Sequence, residues 1–417
     1  MTKPLRFSIV TYLVIACLTV SSSVSVSGQR MIKRKASSTS STQNTTAAQS
    51  AEASPSVIQK ANVDMNGDGR SDYVITRGGP TNPAFAATGS PIVRPTTIDE
   101  RKMLYRQKLN RSNDTDAASL GPAAIPMEWW TLFNQAGPAT WQGAGWGDVE
   151  IDFPISADFD GDGADDIAIW RPGAPFEAAF YSINSIDNTV RISTFGQTGD
   201  DPAVVGDYDG DGKDDNAVYR CPEFTPGTCY FFYRSSLDYD SATVVYNPWG
   251  VGVQGDFYPY PGDFDGDGTH DFCINAIDPN NPDQTVFYLS INGVNNFEAF
   301  VWGHPLDSVA PGDYDADGKT DFCVVRFYDD GFDGKLGWFI LERDGGGTGP
   351  SPIMWGIGSD FITPGDYDGD GTQDVAVYRW NSTDATFWVR PSNGDPHFVA
   401  NWGRPDDFPL AYWYVKP

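Results

Sequence analysis

The sequence predicts an all-β fold, a propeller built from four-stranded blades. Three observations predict it. One nine-residue aspartate-rich loop recurs six times, starting at Asp64, Asp158, Asp207, Asp263, Asp313 and Asp366. Successive loops start 94, 49, 56, 50 and 53 residues apart, and periods near 50 residues mark propellers and arrays. Every unit also repeats the same series of short β-rich runs, bounded by Gly, Pro, Asn and Asp.

Within a unit the runs follow a fixed order. A short segment such as Phe361-Ile-Thr-Pro-Gly365 leads into the loop. An aliphatic stretch follows, as in Asp215-Asn-Ala-Val-Tyr-Arg220 and Asp374-Val-Ala-Val-Tyr-Arg379. An aromatic stretch comes third, as in Cys229-Tyr-Phe-Phe-Tyr-Arg234 and Leu336-Gly-Trp-Phe-Ile-Leu341. The fourth ends in an aromatic-Gly pair: Trp146-Gly147, Phe195-Gly196, Trp249-Gly250, Trp302-Gly303, Trp355-Gly356 and Trp402-Gly403. Such a blade cannot bury both faces alone, so neighbours must stack around an axis, with the aliphatic and aromatic runs between them. The paired tryptophans are read as core because they recur in every blade.

The long first interval is an insertion at 78–126, because 64–77 and 127–147 together make one complete unit with Glu128-Trp-Trp-Thr-Leu-Phe133 as its aromatic strand. Of the adjacent Trp129 and Trp130, a strand points one outward, where it would be free to stack on a sugar. Ring closure has two candidates. Residues 57–63 offer a leading strand for the first unit, and the segment after Gly403 offers another, with Asp407 in the register of Asp360 and Trp413 where Asp366 stood. Six blades are expected, with seven, one incomplete, as the alternative.

The loops themselves read as calcium cages. Positions 1, 3, 5 and 9 carry oxygen side chains: Asp64, Asn66, Asp68 and Asp72; Asp158, Asp160, Asp162 and Asp166; Asp207, Asp209, Asp211 and Asp215; Asp263, Asp265, Asp267 and Asp271; Asp313, Asp315, Asp317 and Asp321; Asp366, Asp368, Asp370 and Asp374. Hard Ca2+ takes roughly 6–8 oxygen ligands at about 2.3–2.6 Å. Glycine at position 6 permits the sharp turn. The position-7 carbonyls of Arg70, Ala164, Lys213, Thr269, Lys319 and Thr372 can each add a ligand. An EF-hand would carry Glu at position 12. Here that position is Ile75, Ile169, Val218, Ile274, Val324 or Val377, so each loop runs directly into an apolar strand. Up to six Ca2+ are expected.

The net charge is −28, which argues against a nucleic-acid partner. Of the 56 acidic residues, 25 lie inside the six loops, so six Ca2+ would bring the charge to about −16. Much of the acidity is therefore metal-binding capacity.

Residues 1–28 read as a secretory signal: a short basic start, an apolar run at 7–20 too short to span a membrane comfortably, and small residues near Gly28. A lipid anchor through Cys17 and an uncleaved anchor are alternatives; no membrane span is expected after cleavage. Residues 29–56, rich in Ser, Thr, Ala and Gln, read as a flexible tether, and 57–417 as the propeller. Export permits a disulfide between Cys221 and Cys229 across a hairpin, while Cys273 and Cys323, in equivalent register, are read as small core residues.

In the insertion, Thr97-Ile-Asp-Glu100 is a capping-box pattern before the basic run 101–111. It predicts a short helix, either docked on the acidic protein itself or serving as a partner-binding arm.

These loops in a repeat of about 50 residues resemble the FG-GAP repeats of the integrin alpha propeller, and still more closely the VCBS-type FG-GAP repeats of bacterial exported proteins. The resemblance covers about 57–417, the insertion excepted. It implies calcium between the first two strands of each blade, held by the Asp or Asn at positions 1, 3, 5 and 9. Asn66 departs by one charge, and Ala316 replaces a glycine without touching a ligand. It also implies cell-surface recognition or adhesion of a glycan or protein, with calcium as scaffold; fold alone does not establish function.

A polysaccharide lyase or hydrolase is the alternative, and a passive surface coat a third. Glycosidic chemistry needs paired carboxylates, for which Glu128, Glu150, Glu177 and Glu298 are candidates outside the loops. His270, His304 and His397 show no zinc spacing, and no nucleophile elbow is visible. Ligand residues should break the repeat. The insertion, the 329–334 hairpin and the Cys221–Cys229 hairpin do so.

Overall fold

A computed structural model describes residues 63–78, 95–110, 125–134, 138–236, 243–291, 296–328, 334–349 and 351–414. The signal, tether and lipid-anchor readings fall outside them, as do residues 57–62 and 329–333. No helix among the described residues is long and apolar enough to cross a membrane.

Six antiparallel meanders form a ring, so the protein is an all-β propeller. Blade II shows the pattern: Phe153–Ala157, Asp166–Arg171, Ala179–Ile183 and Val190–Thr194 pair in sequence order, from the axis outward. The nine-residue loop joins the first strand to the second. Blades IV, V and VI begin at Tyr258–Pro259, Ser308–Val309 and Phe361–Ile362 and repeat the order. In blade III the innermost place is held by a single bridge, Asp201 to Tyr219, beside Asn216–Arg220, Gly227–Arg234 and Val244–Gly252.

The C-terminus closes the ring. Phe408–Pro409 pairs with Ile75 and Thr76, becoming the innermost strand of blade I beside Tyr73–Gly78, Pro126–Phe133 and Thr140–Asp148. There are six blades. The segment after this strand turns into a 3-10 helix, Leu410–Tyr414, where other blades carry a loop. The Tyr414 hydroxyl bonds the backbone of Ser156 in blade II, and Leu410 is fully buried.

Two repeated contacts hold the blades. The first is ionic. In five of the six blades the turn before the innermost strand carries a buried aspartate gripped by an arginine through both Nε and Nη2: Arg77 on Asp407, Arg171 on Asp152, Arg220 on Asp200, Arg326 on Asp307 and Arg379 on Asp360. The register match of Asp407 with Asp360 is real, since both receive an arginine. The second contact crosses between blades. Trp146, Trp249, Trp302, Trp355 and Trp402 each donate the indole N–H to a third-strand carbonyl of the next blade: Tyr181, Tyr288, Phe339, Trp388 and Trp130. Of these five only Trp249 is fully buried, so a reading as plain core is incomplete. Their period also serves a polar bridge between sheets. At the one interface with Phe195 instead, the Arg234 guanidinium stacks on that ring at 5.1 Å. Trp129 is buried, while its neighbour Trp130 is half-buried against the exposed Trp141.

Among its described residues the insertion carries a helix, α1 (Ile98–Leu109), with the expected capping box at Thr97 and Glu100. It docks on the protein itself. Tyr105 and Leu109 enter the core formed by the inner strands, and the Tyr105 hydroxyl donates to Asp201 at 2.7 Å. Arg106 donates to the Gln254 carbonyl, Arg101 to the Pro305 carbonyl and Lys102 to Asp256. Those partners precede innermost strands, at the ends away from the aspartate loops. So α1 covers the face opposite the loops and ties blades III, IV and V. Cys221 and Cys229 form a disulfide across their hairpin, and Cys273 and Cys323 are buried free thiols.

Candidate metal centre

Each loop is folded by its own carboxylates. In the second loop the Asp158 side chain accepts from the backbone N–H of Gly161, Asp162 and Gly163. Asp160 accepts from Asp162, and Asp162 from Ala164. The other five loops repeat this winding. The glycines at positions 4 and 6 take positive φ, for example 79° at Gly161 and 91° at Gly163, where a side chain is strained. Ala316 at position 4 of the fifth loop adopts φ 61° nonetheless.

Position 9 anchors the loop to its blade. Asp215 accepts from the Tyr208 N–H with one oxygen and from the Ser236 N–H with the other. Asp72, Asp166, Asp321 and Asp374 do the same with Asn134, Ser185, Arg343 and Ser392 at the end of the third strand. Those five residues went unrecognised in the sequence. So did Asn184 and Asn393, whose side chains donate to Asp162 and Asp368 at 3.1 and 2.8 Å, as the Ser236 hydroxyl does to Asp211 at 2.6 Å. The polar residue closing each third strand is a local signal that could have marked them.

The loops are joined to one another. The N–H at position 8 of each loop donates to the position-1 carbonyl of the loop before it, from Asp165 to Asp64 round to Ser71 on Asp366. All six bonds are 2.6–2.8 Å, and together they close a ring. In the last four loops a glycine before position 1 makes room: a Cβ on Gly206 would sit 2.4 Å from the His270 ring of the next loop.

Five loops gather three carboxylates with an oxygen each within 4.8 Å of one another: Asp158, Asp160 and Asp162; Asp207, Asp209 and Asp215; Asp263, Asp265 and Asp271; Asp313, Asp315 and Asp321; Asp366, Asp368 and Asp374. These groups could hold a metal ion. In the first loop, Asn66 at position 3 leaves no such acidic triplet among the described residues. At position 7 of every loop the backbone N–H is spent on the position-5 carboxylate, as from Lys213 to Asp211; the carbonyl is the group expected to face a cation.

Burial raises Asp72, Asp166, Asp321 and Asp374 to about 7 and Asp215 to about 8, with neighbouring loop carboxylates adding to the rise. Asp64, Asp207 and Asp366 are raised for the same first reason. Buried, mutually repelling carboxylates made only of hard oxygen donors fit a hard divalent cation.

Residues 313–377, from the fifth loop through the sixth, match the family model of the FG-GAP-like repeat. That match and the six-blade ring together support a propeller of FG-GAP-like repeats. The remaining four units carry the same loop, register and winding as the matched pair. No curated protein matches the chain.

The candidate catalytic residues are dispersed in this FG-GAP-like propeller. Glu128 lies on the third strand of blade I and accepts from Trp130; Glu150 and Glu177 are exposed in turns; Glu298 is paired with Arg343 on blade IV's outer strand. His270 sits at loop position 8. His304 lies in the turn before blade V, and His397 packs on Trp355. Among the described residues, no group of metal-ligating type includes a histidine or cysteine.

Proposed function

We propose that this FG-GAP-like propeller is an exported recognition module that binds an extracellular glycan or protein, with Ca2+ in its loops as a scaffold. One observation carries the reading: the metal-type loops and the irregular segments occupy opposite faces. In an up-and-down meander the loops join first to second strands at one end. The connections from second to third strands lie at the other. The insertion, the Cys221–Cys229 hairpin and the 329–334 hairpin are all second-to-third connections. On the same face Phe176 and Phe224 project from adjacent blades, 91% and 80% exposed. Phe176 does so at φ 68°, a strained position for an aromatic residue. A regular, metal-braced face thus backs an individual one, the division expected where a rigid scaffold presents binding groups. Ca2+ then acts on rigidity and need not touch the ligand. The disulfide and the extracellular habit of such repeats favour export.

The test is a glycan array probed in millimolar Ca2+, with product release read in the same wells. Retention without release, lost when Phe176 and Phe224 are changed to Ser, supports recognition through this face. Cleavage would replace the reading with an enzyme. Silence would leave a protein ligand, sought by cross-linking from the same two positions.

A further inference from the structure

Arg101 of α1 is 3% exposed and has no ionic partner among the described residues. Its Nη1 donates to the Pro305 carbonyl, and its guanidinium lies over the Tyr258 ring at 4.3 Å. Among the described residues its Nε and Nη2 make no hydrogen bond of ordinary geometry, nor does the Tyr258 hydroxyl, although the Tyr258 and Tyr260 hydroxyls both lie against the guanidinium. A buried guanidinium stays charged, and a buried charge is costly unless it is paired. Both acids that α1 reaches are already engaged: Asp201 by the Tyr105 hydroxyl and the Ala203 N–H, Asp256 by Lys102 and the Val253 N–H.

The unpaired edge is chemically specific. Nε and Nη2 form the fork with which Arg77, Arg171, Arg220, Arg326 and Arg379 each grip a carboxylate in this same molecule. Arg101 presents that fork without a carboxylate to fill it. Two parallel N–H donors suit the paired oxygens of a carboxylate or of a tetrahedral oxyanion. A water molecule would satisfy a donor but supply no charge.

We propose that Arg101, with the Tyr258 hydroxyl, is a binding site for one small oxyanion, a carboxylate or a sulfate- or phosphate-type group. The site lies beneath α1 on the face opposite the loops. The anion completes the docking of α1 by neutralising a cation that no described acidic residue compensates. Nothing in this requires the propeller to recognise a glycan or a protein.

The experiment is thermal unfolding of the full chain in acetate and in sulfate, each at constant ionic strength made up with chloride. The wild type should melt higher with saturating dependence on either oxyanion, and Arg101→Met should lose the saturable part. Tyr258→Phe keeps the ring under the guanidinium and should weaken the apparent affinity at least threefold, which serves if Arg101→Met does not fold. An equal rise in chloride alone, a flat response to both oxyanions, or a saturable response unchanged in both variants would overturn the proposal.

Discussion

Lys102 of α1 places its ammonium on Asp256 of blade IV, the position where the other five blades seat an arginine. Blade IV has Ala276 in the arginine's register, so its turn aspartate, bonded by the Val253 N–H, has no cationic partner within the blade among the described residues. The insertion of blade I supplies the missing cation. The expected consequence is a non-additive pair: Lys102→Ala should cost about 1 kcal/mol, as a half-exposed ion pair does, and should cost nothing once Ala276→Arg is present. A double-mutant cycle by urea unfolding measures the coupling.

Ring closure rests on Asp407. It is 1% exposed, holds Arg77 by two hydrogen bonds and takes the Arg404 N–H. Asp407→Ala strands the guanidinium and frees the closing strand, so a loss of about 3–5 kcal/mol is expected. Limited proteolysis should then cut first at the C-terminus.

Ala316 is a position where the family's loop can be improved. Its φ of 61° costs an L-residue roughly 1–2 kcal/mol, and glycine returns part of that gain as unfolded-state entropy. Ala316→Gly should stabilise the chain by about 0.5–1 kcal/mol, read as a rise in Tm with or without Ca2+.

The position-9 aspartates set the pH response. Their folded-state values of about 7–8 lie above an ordinary carboxyl, so the metal-free folded state binds more protons than the unfolded chain. Stability contributed by those protons is complete below about pH 4 and is lost as pH rises through 7–8. Metal-free protein should therefore melt higher at pH 5.5 than at pH 8, and Ca2+ should remove most of that difference. Asp215→Asn should flatten that pH dependence and reduce the increment from Ca2+, while losing one of the two backbone N–H bonds the carboxylate accepts.

Local chemistry was legible in the sequence, and long-range partnership was not. The loops, the strand order, the capping box of α1 and the Cys221–Cys229 staple all depend on residues close in sequence. Ring closure joins residues 75 and 409, and sequence left two candidates because either segment has the right pattern. The docking of α1 depended on acids and carbonyls 96–204 residues away. One sign of it was present: the loss of arginine at Ala276, a break in the repeat that only a cation from elsewhere repairs. The tryptophan bridges were hidden for the opposite reason. Their period fits core packing and inter-blade hydrogen bonding equally well.

The most direct test of a metal-braced ring is thermal unfolding of the chain in millimolar Ca2+ against the same protein stripped by chelator, at pH 8. Six loops joined by hydrogen bonds and crowded with buried carboxylates should give one cooperative transition, at least 10 °C higher with Ca2+ (about 7 kcal/mol for a domain of this size, or a little over 1 kcal/mol per loop). Identical transitions in the two conditions would show that the loops fold without the ion and would contradict a calcium scaffold.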